Sequence, residues 1–154
     1  MIRHIVTGAG GGPPELHGGG IGRICVVSKS KYQFNGASGA TEEIPLAEYV
    51  EAVGCVSAVL EVRCHAKTMG TGQQFTVNVY NTSYDPQNPS ASFAEPSTRA
   101  YVTIAPSDSS PQLYTAAFST PIAGLVRVTL KATQATSAAS MDCTISVDII
   151  ARAA

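Results

Sequence analysis

From residue 55 onward, apolar and polar residues alternate with a period of two, the signature of half-buried antiparallel strands. The longest run is Cys55 to Ala66, with Val56, Ala58, Leu60, Val62, Cys64 and Ala66 on one face. Cys55, Ser57, Val59, Glu61, Arg63 and His65 lie on the other. Thr68 to Gly72 reads as a turn, and Gln74 to Tyr80 repeats the alternation with Phe75, Val77 and Val79 inward. Together these predict a hairpin. A second hairpin is predicted near the C-terminus. Leu125 to Thr133 places Val126, Val128, Leu130 and Ala132 inward, and Asp142 to Arg152 does so with Cys143, Ile145, Val147 and Ile149. Because these four runs carry the longest apolar faces, they are expected at the centre of the fold.

The rest of the chain supplies shorter pieces. Ile24, Val26 and Val27 predict a short strand, followed by a polar, turn-rich stretch from Ser28 to Gly39. Ile44 to Val53 reads as an extended or mixed edge segment. Asn81 to Ala100 carries Pro86, Pro89 and Pro96 and reads as a long loop, of the kind that is usually functional or mobile. Short strands are expected at Tyr101 to Ile104 and Leu113 to Phe118, on either side of a Ser-rich turn from Pro106 to Pro111. Seven or eight short strands with near-regular turns predict an all-β fold. The expected form is an antiparallel β-sandwich, jelly-roll-like or immunoglobulin-like, with a barrel left open.

The first 20 residues break this pattern. They hold seven of the 14 glycines, at positions 8, 10, 11, 12, 18, 19 and 20, interrupted by Pro13 and Pro14. Ordering such a segment costs much backbone entropy. Residues 1–22 are therefore expected to be a flexible arm, and residues 23–154 the sandwich domain. A phosphate-cradling loop does not fit, because Gly8 to Gly12 lead into Pro-Pro rather than a helix and no G-K-[ST] follows. A loose arm of this kind can order on a neighbour. Ile2, Ile5, Val6, Pro13, Pro14 and Leu16 are its candidate contact residues.

Composition changes the picture in one respect. Only 14% of residues are charged, against a usual ~25%, so Ser, Thr, Asn, Gln and Gly must cover much of the surface. That surface suits packing against neighbours. The net charge is −1, and the basic residues are scattered, with Lys29 and Lys31 the tightest pair. Without a basic stripe, nucleic acid is not an expected partner. No run approaches the ~20 apolar residues of a spanning helix and no secretory signal is evident, so a membrane is not expected either. The four cysteines, Cys25, Cys55, Cys64 and Cys143, form no C-x-x-C pair. Cys55 and Cys64 share a strand and lie roughly 30 Å apart, too far to bond. Reduced thiols are the expectation, and Cys64 with Cys143 is the pair to test for a bridge.

Candidate chemistry is sparse. Of three histidines, His4 and His17 lie in the arm and His65 on an outward strand face, which predicts no metal cluster. Adjacent Glu42 and Glu43 point to opposite faces of a strand, and Glu48 and Glu51 share a face only in a helix. There are 29 serines and threonines but no G-x-S-x-G. Asp85, Asp108 and Asp142 form no calcium-loop pattern, and the sequon Asn81-Thr82-Ser83 matters only in a secreted eukaryotic protein. The chain is thus expected to bind or assemble, with no cofactor and no enzymatic activity.

A Gly/Pro-rich arm, a small sandwich with a Ser/Thr-rich surface, and a final strand Thr144-Ile145-Ser146-Val147-Asp148-Ile149-Ile150-Ala151-Arg152 together resemble small virion proteins of tailed bacteriophages, the head decoration and minor capsid proteins. The resemblance is one of organisation and assigns no individual site residue. It implies a homo-oligomer on a virion assembled in the host cytoplasm, with the major capsid protein or another virion subunit as partner. The alternative is a carbohydrate-binding sandwich, with Tyr80, Tyr84, Phe93 and Tyr101 around the long loop as candidates. The absence of Trp, the largest stacking surface, weighs against it.

Overall fold

A computed structural model describes residues 1–5, 21–51, 55–82, 98–119, 122, 125–137 and 139–153. Among these residues the chain forms nine strands: β1 Ile2–Ile5, β2 Ile21–Phe34, β3 Thr41–Glu51, β4 Cys55–Thr68, β5 Gln74–Thr82, β6 Thr98–Ile104, β7 Gln112–Ala117, β8 Leu125–Thr133 and β9 Met141–Ala153. They build two sheets in the orders β1-β2-β9-β4-β7 (sheet A) and β3-β8-β5-β6 (sheet B). Every pairing is antiparallel.

This order decides between the expected sandwiches. An immunoglobulin sheet joins the first, second, fifth and fourth strands. Here β2-β9-β4-β7 faces β3-β8-β5-β6, the arrangement of an eight-stranded jelly roll, with β1 added at one edge. Six of the eight successive connections cross between the sheets, and only β1 to β2 and β5 to β6 stay within one.

The predicted inward faces are largely the observed ones. Leu60, Val62, Phe75, Val77, Val126, Val128, Leu130, Ile145 and Val147 are fully buried between the sheets. The two expected hairpins do not form, however. Strand β4 pairs with β9 and β7, while β5 pairs with β8 and β6, so the turn after Thr68 carries the chain across the core. The turn between β8 and β9 does the same. Alternation fixes which face of a strand is apolar. It says nothing of whether the next strand lies beside it or opposite it. At the ends of β4 the alternation itself fails: Val56 is 52% exposed and Ala66 is exposed. Register shifts between Cys55 and Ser57 and between Cys64 and Ala66 rotate both ends out of phase.

Two further expectations are corrected at the N-terminal side. The stretch from Ser28 is strand as far as Phe34, with Tyr32 and Phe34 in the core. Irregularities between Cys25 and Ser30 break the period and hide the strand. The boundary of the arm also moves. β1 pairs with β2 from Ile2 opposite Phe34 to Ile5 opposite Lys31, and β2 begins at Ile21. Ile44 to Val53, expected to be an extended or mixed edge segment, lies largely in β3, an edge of sheet B that carries Pro45.

Buried amides close one end of the sandwich. Gln73, 2% exposed, accepts a hydrogen bond from Gly70 N–H at 2.6 Å and donates to Gln134 Oε1 at 2.5 Å and Ala139 O at 2.7 Å. Gln134, 3% exposed, donates to Ala139 O at 3.0 Å and Gly36 O at 3.4 Å. The connections after β2, β4 and β8 are thereby bound to one another. Gly72 turns the chain into this plug with φ +82°, a conformation open to glycine.

The four cysteines are free. Cys64 and Cys143 both face the core, but Cys64 stands opposite Ile145 and Cys143 opposite Lys67. Diagonal neighbours of this kind lie ~7–8 Å apart. A disulfide needs less than about 7 Å between Cα atoms. Burial pushes both thiols up from their ordinary range.

Candidate functional site

Three surfaces present chemistry, one on each sheet face and one along the side where both sheets end. The outer face of sheet B is built from the positions that alternate with the core. On β5 these are Gln74, Thr76, Asn78 and Tyr80, because Phe75, Val77 and Val79 point inward. Glu43 of β3 organises the face. Its Oε1 accepts hydrogen bonds from Tyr80 Oη at 2.8 Å, from Asn78 Nδ2 at 3.3 Å and from the buried Thr129 hydroxyl. Thr76 and Thr103 join hydroxyls at 3.3 Å. Tyr101 stands opposite Asn78 and is 63% exposed. Two of the aromatic candidates, Tyr80 and Tyr101, therefore lie one diagonal step apart on one polar face. Tyr84 and Phe93 lie outside the described residues.

The outer face of sheet A carries an ionic network. Glu61 on β4 and Asp148 on β9 are direct cross-strand partners. Two carboxylates so placed repel each other, and Arg23 joins them, at 2.9 Å to Glu61 and 2.7 Å to Asp148. Arg63 adds a second bond to Glu61 at 2.9 Å. The Arg23 guanidinium, more than any other group, holds the Glu61 carboxyl below its ordinary range. His65, on the same face, shares a hydrogen bond with Ser146 Oγ at 2.8 Å. Burial, then Lys29 and Arg63, lower its proton affinity. Alternation along β4 puts Arg63 on the same outward face as Glu61, whereas Asp148 and Arg23 reach it only through the registers of β4 and β2 against β9.

The sides of the sandwich differ. On one, β1 closes sheet A. Ile2 is 6% exposed, its N–H donates to Glu42 Oε2 at 2.9 Å, and the Met1 amino group lies 3.2 Å from the same oxygen. Ile2, expected in a loose arm, is thus part of the core. Ile5 pairs through its backbone with Lys31. Val6, Pro13, Pro14 and Leu16 lie outside the described residues. On the other side β6 and β7 end the two sheets, with Leu113 53% exposed on β7. Ser119 N–H donates to Arg99 O at 2.7 Å across the gap. A shallow cleft of about 310 Å³ opens there beside Tyr101 and Ala116.

Among the described residues no three His, Cys, Asp or Glu side chains converge on a possible metal position. No helix of the described residues is long and apolar enough to cross a membrane.

No known protein family and no curated protein matches the chain. Among solved structures, a partial likeness is found to VP2 in the subviral particle of infectious bursal disease virus, at 14% identity and a TM-score of 0.46. It extends over 86% of this chain and 32% of that one, so the chain spans about a third of the length of the protein it is similar to.

Proposed function

We propose that the chain is a structural protein of a virion, assembled in many copies. The observation that carries this reading is the strand order: two four-stranded sheets in jelly-roll sequence with an added N-terminal strand. Jelly rolls of this kind recur in viral capsids and in lectins. The low charge of the surface supports it, since many copies can pack without strong repulsion. In its finer form the protein decorates the head of a tailed phage, contacting the major capsid protein, with residues 6–20 as the gripping segment. Residues 2–5 pair within sheet A, which leaves the following segment for this role. In this reading the chain has no catalytic role.

Sedimentation and negative-stain microscopy of the purified chain test the reading, alone and mixed with capsid particles. Closed symmetric assemblies, or saturable occupancy on particles, are expected. A chain that stays small and binds no particle overturns it. Replacing residues 6–20 by a Gly-Ser segment of equal length should keep the fold and lower occupancy.

One observation favours a second reading. The outer face of sheet B groups the exposed Tyr101 with Tyr80, Asn78 and Glu43, an aromatic surface amid polar donors and acceptors that suits a sugar ring. A glycan array with wild type and Tyr101→Ala separates the two: specific binding lost in the variant supports the sugar, and no binding refutes it.

A further inference from the structure

Strand β7 is an edge of sheet A, and among the described residues it pairs only with β4. Edges normally carry a device against further pairing, such as charge, proline, brevity or a bulge. The other three edges have one. β3 carries Glu42, Glu43 and Pro45 and two register shifts. β1 is four residues long and carries Arg3. β6 carries Arg99 and a shift against β5. β7, Gln-Leu-Tyr-Thr-Ala-Ala, has no charge and no proline, and its register with β4 is unbroken from Gln112 to Ala117.

The direction of its backbone groups follows from one bond. Phe118 N–H donates to Ala58 O at 2.9 Å, so Phe118 faces β4. In an antiparallel pair, every second residue exchanges bonds with its partner. Gln112, Tyr114 and Ala116 therefore face β4, while Leu113, Thr115 and Ala117 aim N–H and C=O at the open edge. Ser119, next in that series, does turn its N–H away from β4, to Arg99 O. The side chains of Leu113, Thr115 and Ala117 are exposed as well.

We infer that β7 pairs with β7 of a second copy of this chain, antiparallel about a two-fold axis through Thr115. In this register Leu113 faces Ala117, Thr115 faces Thr115 and Tyr114 faces Ala116, so each large side chain meets a small one. All three outward residues then pair with one another, giving six inter-chain hydrogen bonds. Centring the pair on Tyr114 instead would set Tyr114 against itself and Ala117 against Pro111, which has no N–H to give. The strand's neutrality removes like-charge repulsion between identical copies. Two five-stranded sheets become one of ten strands, an isologous contact. The inference rests on the strand itself and does not depend on the virion reading.

The test uses the full chain. Wild type is expected to sediment as a dimer or a multiple of one. Thr115→Lys, at an exposed position, should keep the circular dichroism spectrum of the folded chain and raise the dissociation constant about tenfold or more. Thr115→Cys in a Cys25→Ser background should link two copies by a disulfide between the introduced thiols on mild oxidation, identified by peptide mass, since paired Cα atoms lie ~5.5 Å apart. A wild type that stays monomeric at its highest attainable concentration overturns the inference. So does a Thr115→Lys protein that associates like wild type, or a dimer of the cysteine variant that yields no such cross-link. Particles without that cross-link sink this contact alone, and a cross-linked dimer that builds nothing larger sinks only the virion reading.

Discussion

Replacing Gln73 by Ala should cost about 2–3 kcal/mol of stability, a figure that follows from the bonds it makes. Gln73 takes part in three hydrogen bonds at the closed end of the sandwich, to Gly70, Gln134 and Ala139. A net ~1 kcal/mol for each sets the upper part of the range. The loss is tempered because two partners keep another bond. Gln134 Oε1 still accepts from Ala135 N–H at 3.0 Å, and Ala139 O from Gln134 Nε2. Only Gly70 N–H loses its acceptor among the described residues, and Gly70 is exposed to water. For a domain of this size the melting temperature should fall by roughly 5–10 °C. Urea denaturation followed by circular dichroism measures the change directly. Gln134→Ala should behave similarly, and the double variant should lose about 1 kcal/mol less than the sum, because both singles break the same Gln73–Gln134 bond. A Gln73→Ala protein within about 0.5 kcal/mol of wild type, or a strictly additive cycle, would refute the view that these amides bind the three connections together.

Acid should expose the network on sheet A. The folded Glu61 carboxyl lies below its ordinary value, so its stabilising contribution is complete above pH ~4.5 and is lost as pH falls through the depressed value. Glu61→Gln should be less stable at pH 7 and show a flatter decline below pH ~4.5, read from denaturation midpoints. Asp108, also lowered by its bonds to Ala105 N–H and Tyr114 Oη, contributes in a more acidic window, complete above pH ~3.8 and lost as pH falls through its depressed value, and Asp108→Asn serves as the comparison. At the N-terminus, Ile2→Ala should cost about 2 kcal/mol by differential scanning calorimetry. A change below about 0.5 kcal/mol would mean that β1 is not part of the cooperative unit.

What the sequence revealed and what it hid divide along a physical line. The inward residues of β5, β8 and β9 were legible because burial of one face forces alternation, as at Val126, Val128 and Leu130. Pairing was not. A strand's own residues do not record its neighbour, so β4 against β9 and β5 against β8 had to come from the structure. The same gap hid the Arg23–Glu61–Asp148 cluster, whose members are scattered over 125 positions of separation. Ile2–Ile5 is hidden for another reason: the glycine-rich sequence beside it suggests looseness, although Ile2 is buried and the strand pairs with β2. Of the proposed binding residues, Tyr80 and Tyr101 share a face because both lie out of phase with the core. That relation follows from alternation alone once β5 and β6 are known to pair.

Strand β9 stands between β2 and β4, yet it is the last of the nine to leave the ribosome. Until it emerges, β2 has no partner on that side and β4 is joined only to β7. Sheet A therefore cannot zip up progressively as the polypeptide lengthens. Its completion awaits a single late insertion, and the closure of so many distant contacts makes that step slow. Shortened products ending before Met141 would leave both flanking strands with bare backbone edges, so a newly made chain is most exposed to stray association just before this strand arrives.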